Sequence, residues 1–193
     1  MIGRFGQLVD GRRQITAFHV AGDMCDLHSL MCATVGWSIQ ALTTTTMLKI
    51  SHLELLKVAR AHPAIAEAFW RDCVVDASIL SQWVVNVGRR DARMRLAHVL
   101  CEMGVRLEQA GLGTRTLFEL HVTQTQLADA LGLTAVHVNR VMQALRREGL
   151  IATLHREVRI LDWDRLARVG EFDERYLETG TGNIGPSRTA VAV

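Results

Sequence analysis

The chain has 193 residues, 49% of them apolar, with 22 Lys and Arg against 20 Asp and Glu, a formal net charge of +2. That is enough chain for two small domains, each with its own core, and it excludes a generally basic coating protein. No apolar run approaches the length of a bilayer span, and the opening MIGRFGQLVDGRR lacks the apolar centre of a signal peptide, so a soluble, cytoplasmic protein without a membrane partner is expected. The four cysteines, Cys25, Cys32, Cys73 and Cys101, form no CxxC pair and read as free thiols.

In chain order, residues 1–51 are rich in Thr, Val, Ile and Gly and read as β-structure. QITAFHV at 14–20 alternates like a strand and is followed by a turn at Ala21-Gly22-Asp23. Residues 39–50 are expected to supply one or two further strands, with Thr43 to Thr46 on a half-exposed surface. His19, Cys25, His28 and Cys32 lie close in sequence, but zinc sites use tighter ligand pairs and strand alternation separates these side chains, so no metal is assigned.

His62-Pro63 marks a helix start, since proline suits a first turn and little else in a helix. Across 65–87 the residues Ala66, Phe69, Cys73, Ala77, Leu80, Val84 and Val87 follow a three-four repeat, which fits either a coiled-coil seam or a core helix. Gly88 interrupts the pattern and reads as a hinge. A further helix is expected from Arg89-Arg90-Asp91 to about Gln109, with Leu96, Leu100, Cys101 and Val105 in its core. A turn at Gly111-Leu112-Gly113 and a short strand over 117–122 follow.

The richest stretch is TQTQLADALGLTAVHVNRVMQALRREGLI, residues 123–151. Thr123 and Gln126 form a capping box that starts a helix near Gln124; Gly132 can end it with a left-handed backbone, and Thr134 can cap the next. From Ala135 the apolar residues Val138, Val141, Met142 and Leu145 define a buried stripe. The opposite face carries Val136, His137, Asn139, Arg140, Gln143 and Arg147. This is the pattern of a helix-turn-helix, whose second helix enters the major groove; Arg140 has the geometry for guanine and Asn139 for adenine. Residues 150–154 and 158–161 read as a two-stranded wing about His155-Arg156-Glu157. Between 134 and 161, five arginines stand against two acidic residues, so positive charge gathers where phosphates would lie. Asp162 can cap a last helix, with Phe172 and Tyr176 packing back, and 179–193 reads as a disordered tail.

The string LADALGLTAVHVNRVMQALRREGLI closely resembles the winged helix-turn-helix of Crp/Fnr-type bacterial transcription regulators, and a weaker resemblance extends over about 9–177. AGDMCDLHSLM at 21–31 sits where those sensor domains carry a PGD-type turn, and 50–58 looks like the end of their β-roll. The resemblance implies an α+β fold: a partial cyclic-nucleotide-binding-like β-roll (1–60), a long dimerisation helix and hinge (61–88), and a winged helix-turn-helix domain (89–178). A complete roll would have several strands before residue 9. Either the sequence is a fragment or late start, or another segment or chain completes the roll.

Where nucleotide-binding relatives carry Gly-Glu-Leu and Arg-Ser, this chain has Asp26-Leu27-His28 and Trp37-Ser38, so no cyclic nucleotide and no other cofactor is assigned, and the effector stays unnamed. The resemblance implies base reading by Val136, Asn139 and Arg140 with His137 at the margin, and phosphate contacts from Gln124, Thr125 and Thr134. It also implies a homodimer joined through Phe69, Cys73, Ala77, Leu80, Val84 and Val87, with double-stranded DNA and RNA polymerase as partners. The competing class is a small-molecule or metal sensor with a degenerate effector domain and a non-transcriptional output. No nucleophile motif, phosphate-binding Gly loop or HExxH is present, so an enzyme is not expected.

Overall fold

A computed structural model describes residues 1–177; the tail expected over 179–193 lies outside the described residues. At the N-terminus, strand β1 (Ile2–Gln7) pairs antiparallel with β2 (Arg13–His19) on one side and β3 (Ser38–Ala41) on the other, giving the order β2-β1-β3. Ile15, Ala17 and Phe18 of β2 are buried. A 3-10 turn, Leu27–Met31, lies between β2 and β3. Residues 42–50, expected as strand, form no ladder: the Thr45 hydroxyl bonds the Thr43 carbonyl at 3.0 Å, a local bond that competes with strand pairing.

The stretch 50–58, which resembles the end of a β-roll, is helical from His52 onward. Helix α1 (His52–Ala61) starts because the Ser51 hydroxyl accepts the Glu54 N–H at 3.2 Å, and Lys57 pairs with Glu54 one turn along. Helix α2 (Pro63–Arg89) begins at the proline and continues through Gly88, so the expected hinge is not where the helix breaks. One glycine costs a helix only about 1 kcal/mol, which packing overrides. The break falls at Arg90, because the Asp91 carboxylate accepts the N–H groups of Arg93 and Met94 and so caps α3 (Ala92–Gln109).

All residues from Leu96 to Leu107 on α3 are buried, and they form the centre of one continuous core that reaches from Ile15 and Phe18 of β2 to Leu166. Beyond α3, β4 (Gly113–Thr114), β5 (Leu117–Glu119), α4 (Gln124–Leu131), α5 (Ala135–Arg147), β6 (Ile151–Leu154), β7 (Glu157–Ile160) and α6 (Trp163–Gly170) complete the described chain, with sheet order β4-β5-β7-β6. Gly170 lets α6 touch α3: an added Cβ would lie 2.5 Å from the His98 nitrogen. Glu171, at φ +47°, ends α6, so Phe172 and Tyr176 are not on a continuing helix; both nevertheless pack on the His98 ring.

Three polar residues one helical turn apart, His98, Glu102 and Arg106, run along the buried side of α3. The Glu102 carboxylate accepts from Trp83 Nε1 of α2 at 2.9 Å, the Tyr176 hydroxyl at 2.9 Å and Arg106 at 3.3 Å. Arg106 also donates to Asp23, beyond β2, at 2.7 Å. His98 Nδ1 lies 3.1 Å from the Gly170 carbonyl. Burial, then the charge of Arg90, lower its pKa from 6.5 to about 4.

Above pH 6.5 both folded and unfolded His98 are neutral; as pH falls towards 4 the unfolded chain gains a proton that the folded one refuses. Stability from this group is therefore complete above 6.5 and is lost on the way down to about 4, by about 3 kcal/mol. We expect urea unfolding of the wild type to weaken across that window more steeply than that of His98→Gln. Equal slopes would show that His98 does not contribute.

Candidate nucleic-acid interface

Thr123 Oγ1 accepts the Gln126 N–H at 3.1 Å, and Gln126 Oε1 accepts the Thr123 N–H at 2.8 Å, so the capping box is reciprocal and fixes where α4 starts. Gly132 takes the left-handed conformation at φ +64°, and Thr134 caps α5 by accepting the His137 N–H at 3.2 Å. These local bonds set the angle between the two helices. Leu127, Ala128, Leu131, Val138, Val141 and Leu145 fill the space between them and α3.

The outer face of α5 is open. Val136 is 71% exposed, His137 and Arg140 are exposed, and Asn139 is half-buried at the rim. Val136, Asn139 and Arg140 are spaced three and four residues apart, so they share one face. Among the described residues the Arg140 guanidinium has no hydrogen-bond or ion-pair partner, which leaves all its donors available. Gln124 and Thr125 are exposed in the first turn of α4, and Thr134 is exposed at the start of α5, near unpaired backbone N–H groups.

The acidic residue at the end of α5 is neutralised. Glu148 pairs with Arg93 of α3, with Nε to Oε1 at 3.2 Å, and that hydrogen bond, stronger than the opposing effect of burial, holds its carboxyl below the usual range. Arg146 is tied to the wing by a 2.9 Å bond to Thr153. His155 turns the wing at φ +53°, with Arg156 and Arg159 on it. The helix pair is also held from the N-terminal sheet. Arg13 of β2 pairs with Asp129 of α4 at 2.6 Å, and Gln14 donates to the Ala130 carbonyl at 2.8 Å. Sequence reading misses this clasp because 116 residues separate the partners and neither has a local signature.

The residues expected at a dimer seam are divided. Cys73, Ala77 and Leu80 line a cavity of about 420 Å³ against the sheet, and Phe69 and Val87 are half-buried. The exposed apolar stripe of α2 runs through two of the expected seam residues, Ala77 and Val84 (61%), together with Trp70 (76%) and Val74 (64%). Counting every residue between makes Trp70, Val74, Ala77, Ser81, Val84 and Gly88 a regular four-three series, and all six are exposed. The pattern of intramolecular burial, Ile79, Trp83 and Asn86, decides which stripe is left over, and sequence periodicity alone does not contain it.

In the sheet-side cavity, Trp37 Nε1 donates to Asp26 at 3.2 Å and its ring lies against that of His28, centroids 4.5 Å apart and the planes tilted by 49°. Arg4, a cation that sequence reading does not place here, is buried and already committed to both oxygens of Asp76 at 2.8 and 3.1 Å. Among the described residues no three His, Cys, Asp or Glu side chains converge as metal ligands, and no helix is long and apolar enough to cross a membrane.

Known proteins share this arrangement. The family model of the Crp-like helix-turn-helix domain matches residues 94–169. The transcriptional regulatory protein btr of Bordetella pertussis is 31% identical over 165 residues, covering 82% of this chain and 68% of that protein. The transcriptional activator protein anr of Pseudomonas aeruginosa is 27% identical over 152 residues, covering 79% of this chain and 62% of its own length. Among solved structures, FixK2 from Bradyrhizobium japonicum superposes with a TM-score of 0.67 at 22% identity, covering 87% of this chain and 82% of that one. A CooA mutant from Carboxydothermus hydrogenoformans gives 0.69 at 20% identity, with 88% and 74% covered.

Thr123→Ala removes one half of the capping box and is expected to cost about 1 kcal/mol, with faster amide exchange confined to the first turn of α4. Exchange unchanged at residues 124–127 would show that the box does not hold the helix start.

Proposed function

The chain belongs to the Crp/Fnr family of transcription regulators, and from that premise we propose that it binds operator DNA as a homodimer, each copy laying α5 in the major groove. The observation that carries this reading is the unpartnered, exposed Arg140, held with Val136 and Asn139 on one face of a helix whose other face is buried. Arg140 pairs with guanine N7 and O6, Asn139 with an adenine edge, and Val136 packs on a thymine methyl, with His137 at the margin. Gln124, Thr125 and Thr134 take phosphate oxygens at helix starts, contacts that set register without reading sequence. Arg147, Arg156 and Arg159 add positive charge along the path of the backbone.

Two copies associate through the stripe Trp70, Val74, Ala77, Ser81, Val84 and Gly88, whose four-three spacing suits a parallel helix pair and whose small residues allow close approach. A two-fold pair of α5 helices then addresses half-sites about one turn of DNA apart. The division of labour is an N-terminal sensing unit, residues 1–60, a dimer helix and a DNA-binding unit that starts at residue 89. RNA polymerase is the further partner and the cytoplasm the location.

Fluorescence anisotropy with duplexes selected from a random pool tests the reading. Affinity should fall steeply with salt, and Arg140→Ala should lose about tenfold to a hundredfold on the selected duplex with little change on a scrambled one. Equal losses on both duplexes, or binding insensitive to salt, would contradict base reading. Val84→Glu places a charge in the proposed seam and is expected to convert the dimer to a folded monomer in sedimentation velocity; a dimer that persists would rule that stripe out.

A further inference from the structure

The DNA-binding unit is joined to α2 by two routes, and one side chain completes the second. The first route is the chain itself, through Arg90, whose extended backbone (φ −78°, ψ 146°) separates α2 from α3. Asn86 donates to the Arg95 carbonyl at 3.3 Å and Trp83 to Glu102 at 2.9 Å, so α2 is tied to α3 along that helix. Bonds strung along one helix resist its sliding, but they resist rotation about its axis poorly. The second route leaves α2 at Asp76, whose two oxygens hold Arg4 of β1 at 2.8 and 3.1 Å, crosses the sheet and reaches α4 through Arg13.

Arg13 is placed as a bracket. Its Nε donates to Asp129 Oδ2 of α4 at 2.6 Å, its Nη1 donates to Gln40 Oε1 of β3 at 2.7 Å, and its guanidinium carbon lies 5.5 Å from the centroid of the Phe5 ring of β1. One planar side chain of β2 thus engages the other two strands and α4, and its rigid fork loses little freedom for each bond it makes. Beside it, Gln14 donates to the Ala130 carbonyl at 2.8 Å. The turn after α4 is a meeting point as well: a Cβ added at Gly132 would lie 3.5 to 3.9 Å from side-chain atoms of Arg95 of α3, Gln14 of β2 and Val87 of α2. The Arg13 and Asp129 side chains are 27% and 23% exposed, so salt screens this pair less than a fully exposed one. It supports α4 away from the α3 axis, where a hold against rotation has leverage.

Resting on the reading of a DNA-binding homodimer, we propose that Arg13 is a positioning residue: through Asp129 it fixes the angle between α5 and the dimer helix, and with it the half-site spacing that the protein accepts. One extra base pair moves a half-site by about 3.4 Å and turns it by about 34°. Two units held by both routes cannot follow that change. Units held at Arg90 alone swing to meet it, and they lose affinity at the correct spacing because binding must then order the joint.

The full chain is titrated by fluorescence anisotropy, at one salt concentration, against four duplexes: the selected site, the same site with one base pair inserted or one removed between the half-sites, and a single half-site. The wild type should lose about tenfold or more when the spacing changes. Arg13→Asp should bind the selected site about tenfold more weakly, bind the three spacings within about threefold of one another, and keep the wild-type affinity for the single half-site. That retained affinity reports an intact α4 and α5, which a damaged fold would not give. Adding Asp129→Arg to Arg13→Asp restores an ion pair of reversed polarity and should return both the affinity and the spacing preference. Wild-type spacing preference in Arg13→Asp, an equal loss on the single half-site, or no recovery in the double variant would overturn the proposal. So would a wild type that binds all three spacings alike, whereas a wild type that binds none of the four duplexes would fell the DNA-binding reading and the proposal together.

Discussion

The Glu102 carboxylate, wholly buried on α3, is the fixed point of this molecule. Trp83 reaches it from α2, Tyr176 from the C-terminal turn and Arg106 from one helical turn along, and Arg106 carries the connection on to Asp23 at the sheet. A charged group in such surroundings stands only while its partners do, and removing one partner of a buried pair costs about 3–5 kcal/mol. Burial pushes the Glu102 carboxyl up, and Arg106, Trp83 and Tyr176 oppose that by serving its charged form. The arrangement is also directional. Apolar packing would tolerate sliding of α2 or the sheet along α3, whereas hydrogen bonds of defined length do not.

From that fixed helix the open face of α5 follows in short steps. Leu145, Val141 and Val138 pack inward, Glu148 is clamped by Arg93, and α4 is held by Arg95 on the Leu131 carbonyl at 2.9 Å. Arg13 and Gln14 of β2 hold the same helix from the sheet side. Acidic charge near α5 is consumed by these anchors, while Arg140 and Arg147 are left without hydrogen-bond or ion-pair partners among the described residues. The chain's small net charge therefore conceals a strongly local basic surface, which is what a reader of DNA needs and a general polyanion binder does not.

What the amino-acid sequence reveals is local. The capping box at Thr123 and Gln126, the left-handed turn at Gly132 and the cap at Thr134 each depend on residues within four positions, so each is legible from the string of residues alone. So is the buried stripe Val138, Val141 and Leu145. Ser51-x-x-Glu54 carries the same kind of signal as Thr123-x-x-Gln126 and marks the start of α1, whereas the resemblance to a β-roll names 50–58 only as that roll's end. Gly88 is easily overread, since propensity names a weak point and packing around Asn86 and Arg90 decides whether the helix yields there. The exposed stripe of α2 and the clasp of β2 on α4 are invisible for another reason. Both depend on which face a distant segment covers, and no window of sequence contains that.

The central claim is that the outward residues of α5 choose base pairs. Its most direct test is to select binding sites from a randomised duplex pool with the wild type and with Val136→Glu. Val136 is 71% exposed, so the substitution leaves the fold intact while replacing a methyl-seeking side chain with an acceptor for cytosine N4. The account predicts that one base pair, repeated symmetrically in both half-sites, changes from A·T to C·G and that the rest of the site is retained. Recovery of the same sequence by both proteins would contradict it.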